Sequence, residues 1–283
     1  MSKNILNLNA QLIAEWSPEM LSLQRGLYYG DALFESIRVF EGRIPLMSGH
    51  WARLSNGLRV MGYAMPALWS AEFFEKEILR VALGNARVRL TVWRSPGGLY
   101  LPQDDEPQFL IAATELSSSM FDGWSEELSI GLCTGVRLSV DKLSGLKTLN
   151  GARYVAAAKE AHANGWDDAV LLNSRDQVCE ATSSNIFWVA DRHVFTVPQT
   201  DGPVTGVLRN LLLHLLPQNG YEVVEKSVRY EELLEADEVF LTNAVRGIRP
   251  VTRCEEKVFQ QTHCAHFNYL LAEYIRSKID GKA

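Results

Sequence analysis

The stretch Gly145-Leu146-Lys147-Thr148-Leu149-Asn150 sets a lysine between a strand-like segment and an alanine-rich helical one. An amine attacks carbonyls or carries protons at neutral pH only when burial or neighbouring charge lowers its pKa; otherwise such a lysine is a solvated surface charge. Three further segments keep it company. Glu180-Ala181-Thr182-Ser183-Ser184-Asn185-Ile186-Phe187-Trp188 places one carboxylate ahead of a polar run, where the ordinary reading is a charge beside a turn. Val204-Thr205-Gly206-Val207-Leu208-Arg209 leads into a helix. There Thr205 can cap, Gly206 lets the backbone approach closely, and the N–H groups of Val207 and Leu208 can point at an anion. His50-Trp51-Ala52-Arg53-Leu54 supplies Arg53, a fixed cation able to hold two oxyanion oxygens or to form a helix-surface salt bridge.

Other chemistries lack support. The sequence has no G-x-G-x-x-G, P-loop, G-x-S-x-G or H-E-x-x-H pattern. His263, Cys264 and His266 lie on a segment read as helical, whose spacing does not gather them into a ligand set, so no metal is expected. The chain has 283 residues, 47% hydrophobic and 22% charged, with a formal net charge of −6, which excludes nucleic-acid binding by bulk positive charge. Cys133, Cys179, Cys254 and Cys264 form no framework of spacings and read as reduced thiols of a cytoplasmic protein. No secretory signal and no membrane span is expected.

The elements that must position these residues follow from periodicity. Ala32 to Phe40, Glu41-Gly42-Arg43 and Ile44-Pro45-Leu46 read as two strands joined by a tight turn. Ser48 is the expected N-cap of a helix carrying Trp51, Leu54, Leu58 and Met61, and Ser70 that of a second with Phe73, Phe74, Ile78, Val81 and Ala82. Alternation in 88–94 puts Val88, Leu90, Val92 and Arg94 on one face, and Phe34, Ser36 and Arg38 share a face of the first strand. After a strand over Phe109 to Ala113, the polar stretch from Thr114 to Ser125 is the expected linker. Beyond it come a strand (Leu128 to Cys133), a helix (Ala152 to Asn164, closed by Gly165), a strand (Ala169 to Leu172), a turn at 173–176 and further strands through Val197. A helix from Val207 to Leu216, a strand over Glu238 to Leu241 and a closing helix over Gln261 to Lys278 complete the chain.

The order and spacing of these motifs, from Gly30-Asp31-Ala32-Leu33-Phe34-Glu35 to Asn243 through Val251, resemble the class IV aminotransferase family, the fold-type-IV pyridoxal-phosphate enzymes. The resemblance implies a two-domain α+β or α/β fold, D-amino-acid aminotransferase-like. A small α/β domain would span 1–115, a linker 116–124, and a large domain carrying the lysine 125–283, with pyridoxal 5'-phosphate in the cleft between them. Lys147 matches the lysine that joins the cofactor aldehyde and then shuttles the substrate proton; Glu180 matches the carboxylate on the pyridine nitrogen. Arg53, Gly206, Val207 and Leu208 match phosphate-binding positions, and Asn243-Ala244-Val245 occupies the place of a third phosphate loop. Family members are homodimers, so a homodimer is expected, without nucleic acid or membrane as partner.

Three activities share this scaffold: 4-amino-4-deoxychorismate lyase of the folate pathway, and branched-chain and D-amino-acid aminotransferases. The segment 241–251, with Asn followed by a small residue, resembles the lyase loop, and Arg94-Ser95-Pro96-Gly97-Gly98 resembles lyase and D-amino-acid versions. Phe34-Glu35-Ser36-Ile37-Arg38 is close to the Phe-Glu-Gly-Ile-Arg of branched-chain enzymes and similar to the Phe-Glu-Thr-Ile-Arg of some lyase-type members. Aminodeoxychorismate presents two carboxylates, whereas a branched-chain substrate presents one and an apolar side chain. Arg38, Arg94, Arg246 and Arg249 are the available cations, with Ser36 a donor to the departing pyruvyl group, so the expectation leans to the lyase. A relative that only binds the cofactor is the remaining reading, and the joint presence of Lys147, Glu180 and Arg53 argues against it.

Overall fold

The structure is a computed structural model that describes residues 5–13, 24–118, 121 and 127–281. Its contacts divide the chain into two compact units, one made of 1–120, 146–150 and 278–283, the other of 121–145 and 151–277.

The first unit contains β1 (Leu6–Leu8), β2 (Gln11–Ile13), α1 (Gln24–Tyr29), β3 (Ala32–Val39), α2 (Met47–Val60), α3 (Ala71–Leu79), β4 (Ala86–Arg94) and β5 (Pro107–Glu115). The strands form one antiparallel sheet in the order β2-β1-β5-β4-β3. Alternation gives it two unlike faces. Leu33, Ile37, Val88, Leu90, Val92 and Ile111 turn inward onto Leu54 and Leu58 of α2 and Phe74 and Ile78 of α3. Each such side chain contributes about 1.5–3 kcal/mol by leaving water. Ser70 caps α3 by accepting the Phe73 N–H at 3.1 Å, as the sequence predicts.

Two expectations are corrected here. The tight turn does close, with Phe40 and Arg43 exchanging backbone hydrogen bonds, but Ile44-Pro45-Leu46 forms no second strand; β3 pairs instead with the distant β4. Pro45 has no N–H for a ladder, and Ile44 and Leu46 are buried in the core rather than extended beside β3. The helix therefore starts at Met47 with Leu46 at its N-cap, and Ser48 lies inside the first turn and caps nothing. Much of the expected linker, 119–120 and 122–126, lies outside the described residues, and its start, Thr114 and Glu115, belongs to β5.

In the second unit, β6 (Ser129–Leu132), α4 (Ala152–Ala163), β7 (Asp168–Leu172), β8 (Val178–Ala181), β9 (Asn185–Ala190) and β10 (His193–Thr196) are followed by α5 (Val207–Gln218), β11 (Val223–Glu225) and α6 (Tyr230–Leu233). Then come β12 (Glu238–Asn243), β13 (Gly247–Val251), β14 (Arg253–Cys254), β15 (Lys257–Val258) and α7 (Thr262–Ile279). Two five-stranded sheets result, β11-β10-β9-β12-β13 and β15-β14-β6-β7-β8. They share a core in which Ile130, Val170 and Leu172 meet Ile186, Trp188, Val239 and Leu241. Ala157 and Ala161 of α4 cover the far side of the second sheet against Ala169, Leu171 and Cys179. On the far side of the first, Phe187 stacks on Phe240, which meets Phe267 of α7.

Candidate active site

The sequence reading assigns the lysine to the second domain. Residues 146–150 belong to the first unit because they run along the open edge of β3: Phe34 N–H donates to the Lys147 carbonyl at 2.9 Å and Leu149 N–H to Ala32 O at 3.0 Å. An edge strand offers unpaired backbone groups, and this segment takes them. The Lys147 Nζ comes to rest 4.6 Å from the centre of the Phe34 ring.

Phe34 lies on the outer face of the sheet with Ser36 and Arg38, and the register places Thr91, Arg89 and Arg87 directly opposite them on β4. The Arg89 guanidinium sits 4.0 Å from the same Phe34 ring. Two cations thus share one aromatic ring, an attraction of about 0.5–2 kcal/mol each. Burial, and then the like charge of Arg87, pull the Arg89 pKa down. Ser36 is half-buried on this face; Arg38 is buried, donating to Ser118 O at 2.5 Å over the Phe40 ring. Sequence reading missed Arg87 and Arg89, although the alternation that turns Val88 and Leu90 inward turns both arginines outward.

Glu35 points the other way, into the core, yet it is charged. It accepts Arg53 Nε at 2.8 Å, Arg53 Nη2 at 2.5 Å and hydrogen-bonds His50 Nδ1 at 2.6 Å. Burial works against the carboxylate, but the Arg53 guanidinium and these hydrogen bonds outweigh it and hold its pKa down at about 2. Burial keeps His50 below its usual range despite Glu35. Arg53, the expected phosphate cation, is therefore oriented from below by a carboxylate that the motif reading passed over. His50 and Arg53 lie one turn apart on α2, which lets both reach Glu35.

Arg94 departs from expectation. Its guanidinium donates to Asp31 at 3.0 Å, to Asp105, and to the Met61 and Gly62 carbonyls at 2.8 and 3.4 Å. It ties the end of β4 to the end of α2 on the core face, so a buried charge finds its partners there.

In the second unit Glu180, on β8, is buried; its Oε1 accepts the Tyr154 hydroxyl at 2.6 Å and its Oε2 the Val204 N–H at 3.0 Å. Tyr154 was not singled out in the sequence, though it shares the Ala157 and Ala161 face of α4 by helical spacing. Burial, and then the Glu180 charge, push its phenol pKa well up, so it remains a donor.

Val204 also begins the approach to α5. Its carbonyl accepts Asn185 Nδ2 at 2.9 Å, and a Cβ on Gly206 would meet Asn185 Oδ1 at 1.8 Å. Only glycine fits, and Gly206 is the N-cap of α5 with no side-chain cap. The capping expected of Thr205 is corrected: its hydroxyl donates to Gln199 Oε1 at 2.7 Å. Val207 and Leu208 open the first turn, where helix N–H groups lack helical acceptors. A glycine cradle at the positive end of a helix fits a phosphate, and a buried carboxylate fits a protonated pyridine nitrogen.

Asn243 shapes its own loop. Its Nδ2 donates to Ser184 Oγ at 3.1 Å and its Oδ1 accepts the Val245 and Arg246 N–H groups at 3.1 and 2.8 Å, which bends the chain around Ala244. Arg246 is exposed and Arg249 buried on β13. His263 and Cys264 serve α7: their N–H groups donate to Glu238, a negative charge at a helix start. No group of three or more His, Cys, Asp or Glu among the described residues could hold a metal, and no helix there is long and apolar enough to cross a membrane.

The amino-transferase class IV family profile matches residues 32–254. A putative branched-chain-amino-acid aminotransferase of Methanocaldococcus jannaschii is 29% identical over 272 residues, covering 94% of this chain and 93% of its own. The 4-amino-4-deoxychorismate lyase structure from Pseudomonas aeruginosa superposes with a TM-score of 0.80 at 29% identity, over 93% of this chain and 96% of that one. A branched-chain aminotransferase from Thermoproteus uzoniensis, at 23% identity, shares the fold with a TM-score of 0.85 over 98% and 95% of the two chains. With most of its length matched by that profile, the chain belongs to the class IV aminotransferase family and is a pyridoxal-phosphate-dependent enzyme.

Proposed function

We propose that the enzyme is a 4-amino-4-deoxychorismate lyase, and the observation that carries this reading is the cationic face around Phe34. Arg89 lies over that ring, and Arg87 stands beside Arg89 on the same face. A substrate with two carboxylates gains from more than one fixed cation, whereas an aliphatic side chain gains nothing from them. The 29% identity to the Pseudomonas aeruginosa lyase supports the same choice.

The bound cofactor supplies an electron sink that acidifies the C–H beside the substrate amine. On the family resemblance, Arg53, oriented by Glu35, the Gly206–Leu208 turn and the loop at Asn243 and Ala244 are the groups that would hold its phosphate. Glu180 holds the ring nitrogen in its protonated form. Lys147 removes the proton from the ring carbon bearing the amino group. The C–O bond to the enolpyruvyl group then breaks, the Ser36 hydroxyl delivers a proton to the leaving group and regains one from the proton that Lys147 took up, and the six-membered ring becomes aromatic. The products, pyruvate and 4-aminobenzoate, together contain every atom of the substrate, so no further reactant is needed.

The second reading, a branched-chain aminotransferase, is favoured by the Methanocaldococcus jannaschii relative. Incubation of the purified enzyme with aminodeoxychorismate separates the two: equal release of pyruvate and 4-aminobenzoate supports the lyase. No release, with brisk amino transfer from leucine or a D-amino acid to 2-oxoglutarate, refutes it.

The working unit proposed is a homodimer. Arg25 donates to the Gly97 and Leu99 carbonyls and so fixes a loop that exposes Leu99, Tyr100 and Leu101, with Leu27 and Tyr28 exposed on α1. Apolar side chains held outward in this way suit burial against a second copy.

A further inference from the structure

Resting on the reading of Glu180 as the partner of the cofactor's ring nitrogen, we propose that Tyr154 is a positioning residue that weakens the basicity of this carboxylate and so keeps the shared proton on the ring. A proton between a pyridine nitrogen and a carboxylate goes to the more basic partner. Glu180 is only 3% exposed, and burial by itself makes a carboxylate more basic. Left without donors it would take the proton and leave the ring neutral, a poorer electron sink. Hydrogen bonds to the charged form act in the opposite sense.

Two such donors are in place, the Val204 N–H at 3.0 Å and the Tyr154 hydroxyl at 2.6 Å. The second lies in the range of a charge-assisted O–H···O bond, about twice as strong as a neutral one. Because Val204 acts through its backbone, Tyr154 is a side chain through which sequence can tune the pair. It is carried on α4, which Ala157 and Ala161 anchor to the sheet that holds Glu180 on β8. Glu180 itself acts on the cofactor; Tyr154 acts only through Glu180.

The test is the 15N resonance of ring-labelled cofactor bound to the holoenzyme. Tyr154→Phe keeps the ring that packs against the cluster of Ala157 and Ala161 and removes only the hydroxyl. Its signal should move from the protonated toward the neutral position, with kcat falling about tenfold and KM changing less than twofold, as for loss of one hydrogen bond to a charged group. A fluorotyrosine at 154, a stronger donor, should hold the protonated signal. A wild-type 15N position in Tyr154→Phe overturns the proposal, since a purely structural role would leave it there. Glu180→Gln separates the two layers. If it moves the signal and Tyr154→Phe does not, only this proposal fails; if it leaves the signal in place, the reading of Glu180 fails with it.

Discussion

Replacing Glu35 by glutamine removes a buried negative charge while leaving its shape, and the structure fixes what this should cost. The folded carboxyl is held at about 2 against an ordinary value of 4.5, and each pH unit of such a shift corresponds to about 1.4 kcal/mol. A depressed carboxylate pKa stabilises the fold above its unfolded value and loses that contribution as pH falls toward the folded value. Glu35 therefore contributes about 3 kcal/mol at pH 7, of which less than half remains at pH 3. Glu35→Gln also leaves Arg53 and its charge without their carboxylate, the costly way to break a buried pair. Urea unfolding of the apo-enzyme should put the variant about 3 kcal/mol below wild type at pH 7 and bring the two closer together toward pH 3. A loss below about 1 kcal/mol at pH 7, or a gap that does not narrow in acid, would refute the reasoning, because it would mean that Glu35 is not the buried anion its geometry implies.

Further predictions concern the cradle, the cationic face and the assembly. Gly206→Ala forces a Cβ against Asn185 Oδ1 and should weaken cofactor binding more than about tenfold; the added change Asn185→Ala should recover part of the loss, as a fluorescence titration of the cofactor would read. Arg89→Gln should lower kcat/KM for aminodeoxychorismate about 10–100-fold with cofactor affinity unchanged; equal kinetics in the two proteins would remove Arg89 from substrate recognition. Sedimentation equilibrium should give twice the 31.8 kDa chain mass, falling toward one in Tyr100→Glu, and a monomeric wild type would refute the dimer.

Much of the site was legible as sequence because its residues sit at element ends that local chemistry marks. Gly206 before a helix, Ser70 as a cap and the alternation of β4 each depend on neighbours a few residues away, and the structure follows them. What escaped depends on long-range pairing. Nothing near Arg94 in the sequence announces Asp31, 63 residues away, which draws it into the core. Glu35 reads as an interruption of an apolar face until α2 brings Arg53 and His50 beneath it. Ile44–Leu46 has strand-like composition, but β4 pairs with β3 through eight residue pairs, from Ala32↔Trp93 to Val39↔Ala86, and a short strand containing proline offers less. The lysine segment looked like part of the second domain by chain order, and only the edge of β3 draws it into the first unit.

The most direct test places both candidate reactions in one vessel. Purified holoenzyme is given aminodeoxychorismate together with leucine and 2-oxoglutarate, and pyruvate, 4-aminobenzoate and glutamate are quantified over the same interval. The account predicts pyruvate and 4-aminobenzoate in equal amounts with little glutamate; glutamate formed from leucine, with no 4-aminobenzoate released, would contradict it.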